Sequence, residues 1–365
     1  MKTNFEEFEF NNFTYEIDYS LNENLPIINH SQSIPKSIFK FYSISKYSID
    51  ALSKNYLHAS HPLELNDILD SSHFLLYSSE SIDYEYYKNF YKGVFEDENE
   101  LIKLYDNDVN SNQCRKLISD IYDMSFNLLG IISLTARENN TLMWPHYTQE
   151  KGFQIKFNSH SLIKNIEQNL KNDEGELFGF YPVNYTKTLN PIDISKFRNL
   201  HIPIAYLSNI KLADWSYEKE WRIIASKKNM GIPYSKSGLN LTPDYIGNKE
   251  NRQIKYDKID IEEICVGQSF ITAKDFEIEW LDNSKEFNIT IKNDLETIHF
   301  NNLKNFLHII CDNYNDKLYF SGVKYELNAH SQLYLIRTKE KMKIEKIEDF
   351  KFKLTRTNEI IRLIN

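Results

Sequence analysis

Residues 36–62 read KSIFKFYSISKYSIDALSKNYLHASHP, and the order of elements in this stretch sets the expectation for the whole fold. Ile38-Phe39-Lys40-Phe41-Tyr42 reads as a strand. Ser45 can cap a helix running from Lys46 to Lys54, with Ile49 and Leu52 on its apolar face. Tyr56 to Ser60 reads as a second strand, and Pro62 then stops regular pairing because it has no N–H to donate. Further strands are expected at Leu128 to Thr135, Phe153 to Phe157, Pro182 to Tyr185, Tyr217 to Ala225 and Ile261 to Val266. Few helices separate them; short helical turns are expected over Thr141 to Thr148 and a helix over Ala273 to Leu281. An early strand-helix-strand unit followed by several strands predicts an α+β fold with a mixed, bent, split sheet and flanking helices, not a doubly wound one.

Outward from this stretch, residues 1–34 read as an irregular lead-in, polar in Asn and Ser. Residues 35–282 read as the main domain. Within it, 83–126 is expected to be a helical insertion or lid with two acidic segments. Beyond about residue 283, short strands rich in Asn and Lys surround a helix from Asn301 to Asp312. The expectation is a small C-terminal α/β accessory domain over 283–365. No repeat at solenoid period is found.

Composition narrows the function. The chain has 365 residues, a size for two domains or one large one with a tail. Only 10 are glycine. No three fit G-x-G-x-x-G, and none precedes Lys-Ser or Lys-Thr in the phosphate-cradling pattern. P-loop NTPases, protein kinases and standard Rossmann dehydrogenases are disfavoured. Cys114, Cys265 and Cys311 lie too far apart for a cysteine zinc site. H-E-x-x-H and G-x-S-x-G are also absent. His58 and His61 stand three apart, but Pro62 follows, and two partly exposed loop histidines are the plainer reading; no metal is expected. Lys+Arg total 43 against 52 Asp+Glu, a net charge of −9, so no basic footprint for duplex DNA is visible at whole-chain level. Mean hydropathy is −0.53, and no stretch approaches the roughly 20 apolar residues of a membrane span. With an acidic, aromatic start unlike a signal peptide, a cytoplasmic location without membrane contact is expected.

Three polar-aromatic clusters could carry chemistry. The first is Lys40-Phe41-Tyr42-Ser43 with His58-Ala59-Ser60-His61 and Asn66-Asp67. The second is Trp144-Pro145-His146-Tyr147 with Lys151-Gly152-Phe153. The third is Lys211 with Trp215-Ser216-Tyr217-Glu218-Lys219-Glu220-Trp221-Arg222. On a regular strand Glu218 and Glu220 share one face. Either that face is solvated, or one carboxylate works as a base or as partner to a developing cation. Arg222 is expected to face away from them as a structural anchor. Trp144, His146 and Tyr147 either line a pocket or pack in the core. Asn66 and Asp67 either serve a site or clamp their own turn. Cys265 is expected in the core.

The succession of Lys40-Phe41-Tyr42, the short helix, the strand ending at Ser60, then Trp144-Pro145-His146-Tyr147, Lys151-Gly152-Phe153 and Trp215 to Arg222 resembles a bacterial family of unknown function. Its members often lie near abortive-infection and other phage-defence genes. The resemblance covers roughly residues 35–282. Relatives often carry Arg where this chain has Tyr42, and Pro after the Asn-Asp pair where it has Ile68. More distantly, the pattern is similar to the ADP-ribosyltransferases. That similarity implies an NAD co-substrate, with Lys40, Tyr42, Ser43, Ser60, Trp144, His146 and Tyr147 toward the cofactor. Glu220 would be the catalytic carboxylate and Glu218 would orient the ribose or acceptor. It implies a protein or nucleic-acid acceptor, and a phage-derived trigger or a cognate antitoxin. The expected function is an NAD-using effector in phage defence or a toxin system. The alternatives are a non-catalytic recognition component and a nucleic-acid-processing enzyme.

Overall fold

The computed structural model describes residues 4–20, 26–67, 69–111, 113–138, 140–233, 245–281, 285–327 and 330–363. Ile68 lies outside them. The chain divides into two compact units, each built from separated stretches. Residues 35–282 are therefore shared between two bodies instead of forming one main domain.

One unit comprises Pro35–Leu57, Leu134–Asn165 and Lys255–Asn365. It begins with strand Ser37–Tyr42, then helix Lys46–Lys54. Ser45 Oγ accepts from the Ser48 N–H at 3.2 Å, and Ser48 Oγ accepts from the Ser45 N–H at 3.1 Å. Such a cap stabilises a helix by about 1 kcal/mol. Asn55, at φ 53°, ends the helix. The sheet of this unit runs Phe276–Trp280, Glu286–Ile291, Lys351–Leu363, Leu333–Lys346, Leu318–Leu327, Ile261–Val266, Phe153–Asn158 and Ser37–Tyr42. Ile261–Val266 pairs parallel with Leu318–Leu327, and the other pairings are antiparallel. Helix Thr297–Asn313 covers one face, its Phe306 ring 4.8 Å from Phe153.

Two expectations are corrected here. Phe276–Trp280 is a strand, not part of a helix. Its Phe-Glu-Ile-Glu-Trp alternation satisfies its backbone by pairing with Glu286–Ile291. Residues from 283 onward do not form a separate small domain. Their strands are 6, 10, 14 and 13 residues long and continue the sheet of this unit, so their inward residues, among them Ile289, Ile344 and Leu354, share its core.

The other unit comprises Met1–Ile34, His58–Ser133 and Ile166–Ile254. Phe5–Phe10, Phe13–Asp18 and Ile27–His30 form an antiparallel three-stranded sheet, where the sequence suggested an irregular lead-in. The cause is a period-two pattern: Phe13, Tyr15 and Ile17 are buried, and Thr14, Glu16 and Asp18 are less so. Tyr15 and Phe10 pack edge-on against Tyr206 of helix His201–Asn209. The segment expected to be helical contains Tyr84–Phe90, Glu98–Ser111 and Arg115–Leu128. Strand Leu129–Thr135 lies beside Glu220–Ser226, which pairs antiparallel with Glu176–Pro182. The protein is thus α+β, with a large mixed sheet and several helices. No described helix is long and apolar enough to cross a membrane.

Candidate functional site

The third sequence cluster does not continue as one strand. Ala213–Glu218 is a 3-10 helix, Lys219 takes left-handed angles (φ 46°, ψ 47°), and the strand starts at Glu220. Even so, the two carboxylates meet. Lys211 Nζ donates to Glu218 Oε2 at 2.8 Å and to Glu220 Oε2 at 3.2 Å. Lys211 itself comes from the short strand Ile210–Leu212, a lone charge in an apolar run. The kink at Lys219 therefore does what regular alternation was expected to do.

Arg222 corrects a second expectation. It does not face away: period two places residues 220 and 222 on the same side of a strand. Arg222 Nε donates to Glu220 Oε1 at 2.9 Å, Nη1 donates to Asp70 Oδ1 at 2.8 Å, and Nη1 also reaches the Ser208 carbonyl at 2.8 Å. Nη2 contacts Asp70 Oδ2 at 2.5 Å. Asp70, Lys211, Glu218, Glu220 and Arg222 are all buried, so the solvated-face reading is excluded. Three carboxylates face two cations, a formal charge of −1 inside the unit. Burial alone would raise the Glu220 pKa. The charges of Arg222 and Lys211, with hydrogen bonds from Arg222 and Ser133, outweigh it and bring the value down to about 2. Lys211 is itself raised: burial works against its charge, and Glu220, Asp70 and Glu218 restore it. The Tyr185 hydroxyl accepts the Glu220 N–H at 3.0 Å. The Trp215 ring lies 4.7 Å from Lys211 Nζ.

Ser60 belongs to the same unit. It exchanges two backbone hydrogen bonds with Ile131, at 2.8 and 2.9 Å. Residues directly opposite in an antiparallel bridge share a face, and Ile131 shares its face with Ser133, two residues on. Ser133 bonds Glu220. Ser60 therefore stands on the face that holds the carboxylates, about 7 Å along the strand from Ser133.

The other expected cofactor residues belong to the unit of Pro35–Leu57, Leu134–Asn165 and Lys255–Asn365. Lys40 and Tyr42 point to one side of strand Ser37–Tyr42, and Phe41 to the other. Tyr42 stacks on Phe153 at 5.3 Å. Burial pushes its hydroxyl pKa well up. Trp144 is buried and meets Phe41 edge-on at 5.0 Å. Trp144 and Tyr42 thus occupy opposite faces of the strand, and Trp144 is a core residue. Helix Met143–Thr148 exposes His146 and half-exposes Tyr147. Ser43 donates its hydroxyl to the Tyr147 carbonyl at 2.8 Å. Gly152 of the Lys-Gly-Phe motif has a packing reason: a Cβ there would lie 2.0 Å from the Tyr42 carbonyl oxygen.

Three smaller readings resolve. Asp67 accepts the Leu69 N–H at 3.0 Å, so the Asn-Asp pair includes a turn clamp. Cys265 is buried, and desolvation raises its pKa. His61 is buried, not partly exposed; its Nδ1 accepts the Leu63 N–H at 3.1 Å and caps the turn Pro62–Glu64. Among the described residues no group of three or more His, Cys, Asp or Glu is placed to hold a metal ion. Sequence reasoning missed Asp70, Ser133 and Tyr185. Only Asp70 could have been suspected, as a carboxylate close to the Asn-Asp turn.

Part of this geometry lies in a stretch that matches a known family. Residues 143–223 match the family described as "Protein of unknown function (DUF2971)". The match starts at the helix that carries Trp144 and ends just past Arg222, so it takes in Lys211, Glu218, Glu220 and Arg222. Asp70 and Ser60 lie before it. No curated protein and no solved structure matches the chain.

Proposed function

We propose that this protein is an ADP-ribosyltransferase-like effector that takes NAD as donor, with Glu220 as its catalytic carboxylate and Glu218 as the residue that orients the ribose or the acceptor. One observation carries the reading: both carboxylates converge on Lys211, on the strand face that Ser60 also occupies. In the reaction the bond from ribose C1′ to the nicotinamide nitrogen breaks, and its electron pair leaves with nicotinamide. Positive charge builds on the ribose. A carboxylate fixed in an ionised state near that charge lowers the barrier, because it binds the transition state more strongly than the substrate. The acceptor, a protein or nucleic-acid nucleophile, then bonds to C1′ and loses its proton. Glu220 remains ionised at any physiological pH. The closed arrangement leaves both carboxylates only about 4% exposed, so NAD entry requires the Ala213–Glu218 turn to move. The biological setting that fits is phage defence or a toxin system, with a phage-derived trigger or a cognate antitoxin controlling that opening.

A second reading has its own support. The carboxylates are buried and paired with fixed cations, as expected of a structural core in a non-catalytic recognition component. The separating experiment incubates purified protein with NAD and measures nicotinamide release, with calorimetry of NAD binding in parallel. Release above the no-protein rate is expected of the transferase. No binding and no release by folded protein, with candidate partners present as well as absent, favours recognition.

A further inference from the structure

A cavity of about 670 Å³ lies where the turn His73–Leu75 and strand Leu76–Tyr77 meet the start of helix Arg115–Leu128. Its size is within the roughly 300–1,000 Å³ of small-molecule sites. None of its lining residues belongs to the carboxylate cluster. The floor is apolar and buried, formed by Leu76 and Ile118. Two large rings on its lining are left in water: Phe74 is 74% exposed and Tyr77 46%. The charge of the lining runs against that of the chain. Asp and Glu outnumber Lys and Arg by 52 to 43 overall, yet no lining residue is a carboxylate, and Arg115 is a full cation at the rim. Among the described residues Arg115 is in no ion pair, whereas its neighbour Lys116 is held by Asp120. Ser119 and Gln113 add polar groups to the lining.

The helix end is not the attraction. Asp108 already accepts the N–H groups of Lys116 and Leu117 at 2.8 Å each. An anion here meets the Arg115 side chain, not the helix dipole. Exposed rings, an apolar floor and a free guanidinium suit a ligand that is flat and aromatic at one end and anionic at the other. Aromatic side chains stack on bases of any sequence, and guanidinium binds phosphate through two parallel hydrogen bonds.

We propose that this cavity binds a nucleoside monophosphate, its base against Phe74 and Tyr77 and its phosphate on Arg115. The test is titration calorimetry of the full chain with 5′-AMP, adenosine and inorganic phosphate. It reads binding alone and does not depend on the transferase reading. Saturable 5′-AMP binding is expected, with adenosine and phosphate each about ten-fold weaker or more. Arg115→Gln should weaken 5′-AMP about ten-fold and leave adenosine unchanged. Phe74→Ala should weaken 5′-AMP and adenosine alike, by about five-fold or more. Both side chains are exposed, so the variants should melt with the wild type. Absence of 5′-AMP binding at millimolar concentration, an unchanged affinity in Arg115→Gln, or phosphate binding as tightly as 5′-AMP would overturn the proposal.

Discussion

Arg222 and Arg252 are both fully withdrawn from water, yet they are held by opposite kinds of neighbour. Arg222 sits between the carboxylates of Asp70 and Glu220, with one carbonyl, Ser208, completing its shell. Arg252 donates to four carbonyls: Phe126 at 2.9 Å, Gly231 at 3.0 Å, Ala59 at 3.1 Å and Leu129 at 3.2 Å. Phe126 lies in the last turn of helix Arg115–Leu128 and Leu129 is its C-cap, where the dipole favours a cation. Burial drags the Arg252 pKa down to about 10, against the opposing charge of Glu64. For Arg222 burial works the same way, but Asp70 and Glu220 overcome it and push its pKa up. Arg252 ties backbone segments together. Arg222 fixes charged side chains, and so bears on chemistry.

The largest expected effect breaks the Arg222 side of this comparison. Arg222→Met leaves Asp70 and Glu220 buried without their main cation and should cost about 3–5 kcal/mol. Urea unfolding reads the loss. Arg252→Met orphans neutral carbonyls instead of charges, so its cost should be smaller, about 2–3 kcal/mol. Equal losses in the two variants would remove the distinction drawn here.

Acid sharpens the comparison next. His61 lies near Arg252; burial first, then the Arg252 charge, lowers its pKa to about 4 from an ordinary 6.5. The unfolded chain therefore takes up this proton before the folded one. Stability is fully present above about pH 6.5 and falls as pH drops toward 4, by about 2 kcal/mol between pH 7 and 5. Asn at this position can still accept the Leu63 N–H, so His61→Asn should flatten the curve over that range. Glu220 acts in a separate, lower window. Its folded value is depressed, so its stabilisation is present above about 4.5 and is lost as pH falls toward 2. The smallest effect belongs to the surface. Lys228 and Glu174 pair at 3.0 Å but are 75% and 77% exposed, and Lys228→Ala should leave the urea midpoint where it is.

Much of this was legible wherever local rules decide. Ser45 with the helix after it, and the apolar run ending at Thr135, follow from capping and continuous burial. The N-terminal sheet and the strand at Phe276 were not, although both alternate. Most of their polar positions are Glu and Asp, which also suit loops and helix faces, and only pairing with a neighbour decides. At the site, Lys211 and Arg222 announced themselves as charges inside apolar runs. Asp70 offered only its nearness to the Asn-Asp turn: it reaches Arg222 across 152 residues of sequence, and no local pattern encodes that contact.

The most direct test of the central claim compares nicotinamide release from NAD by wild type and by Glu220→Gln, at equal folded concentration confirmed by circular dichroism. Gln keeps the shape and hydrogen bonding and removes only the charge. The account predicts release by wild type and a rate about 100- to 1,000-fold lower in the variant, with NAD affinity changed far less. Equal rates in the two proteins, or no release by folded wild type with candidate partners present as well as absent, would contradict it.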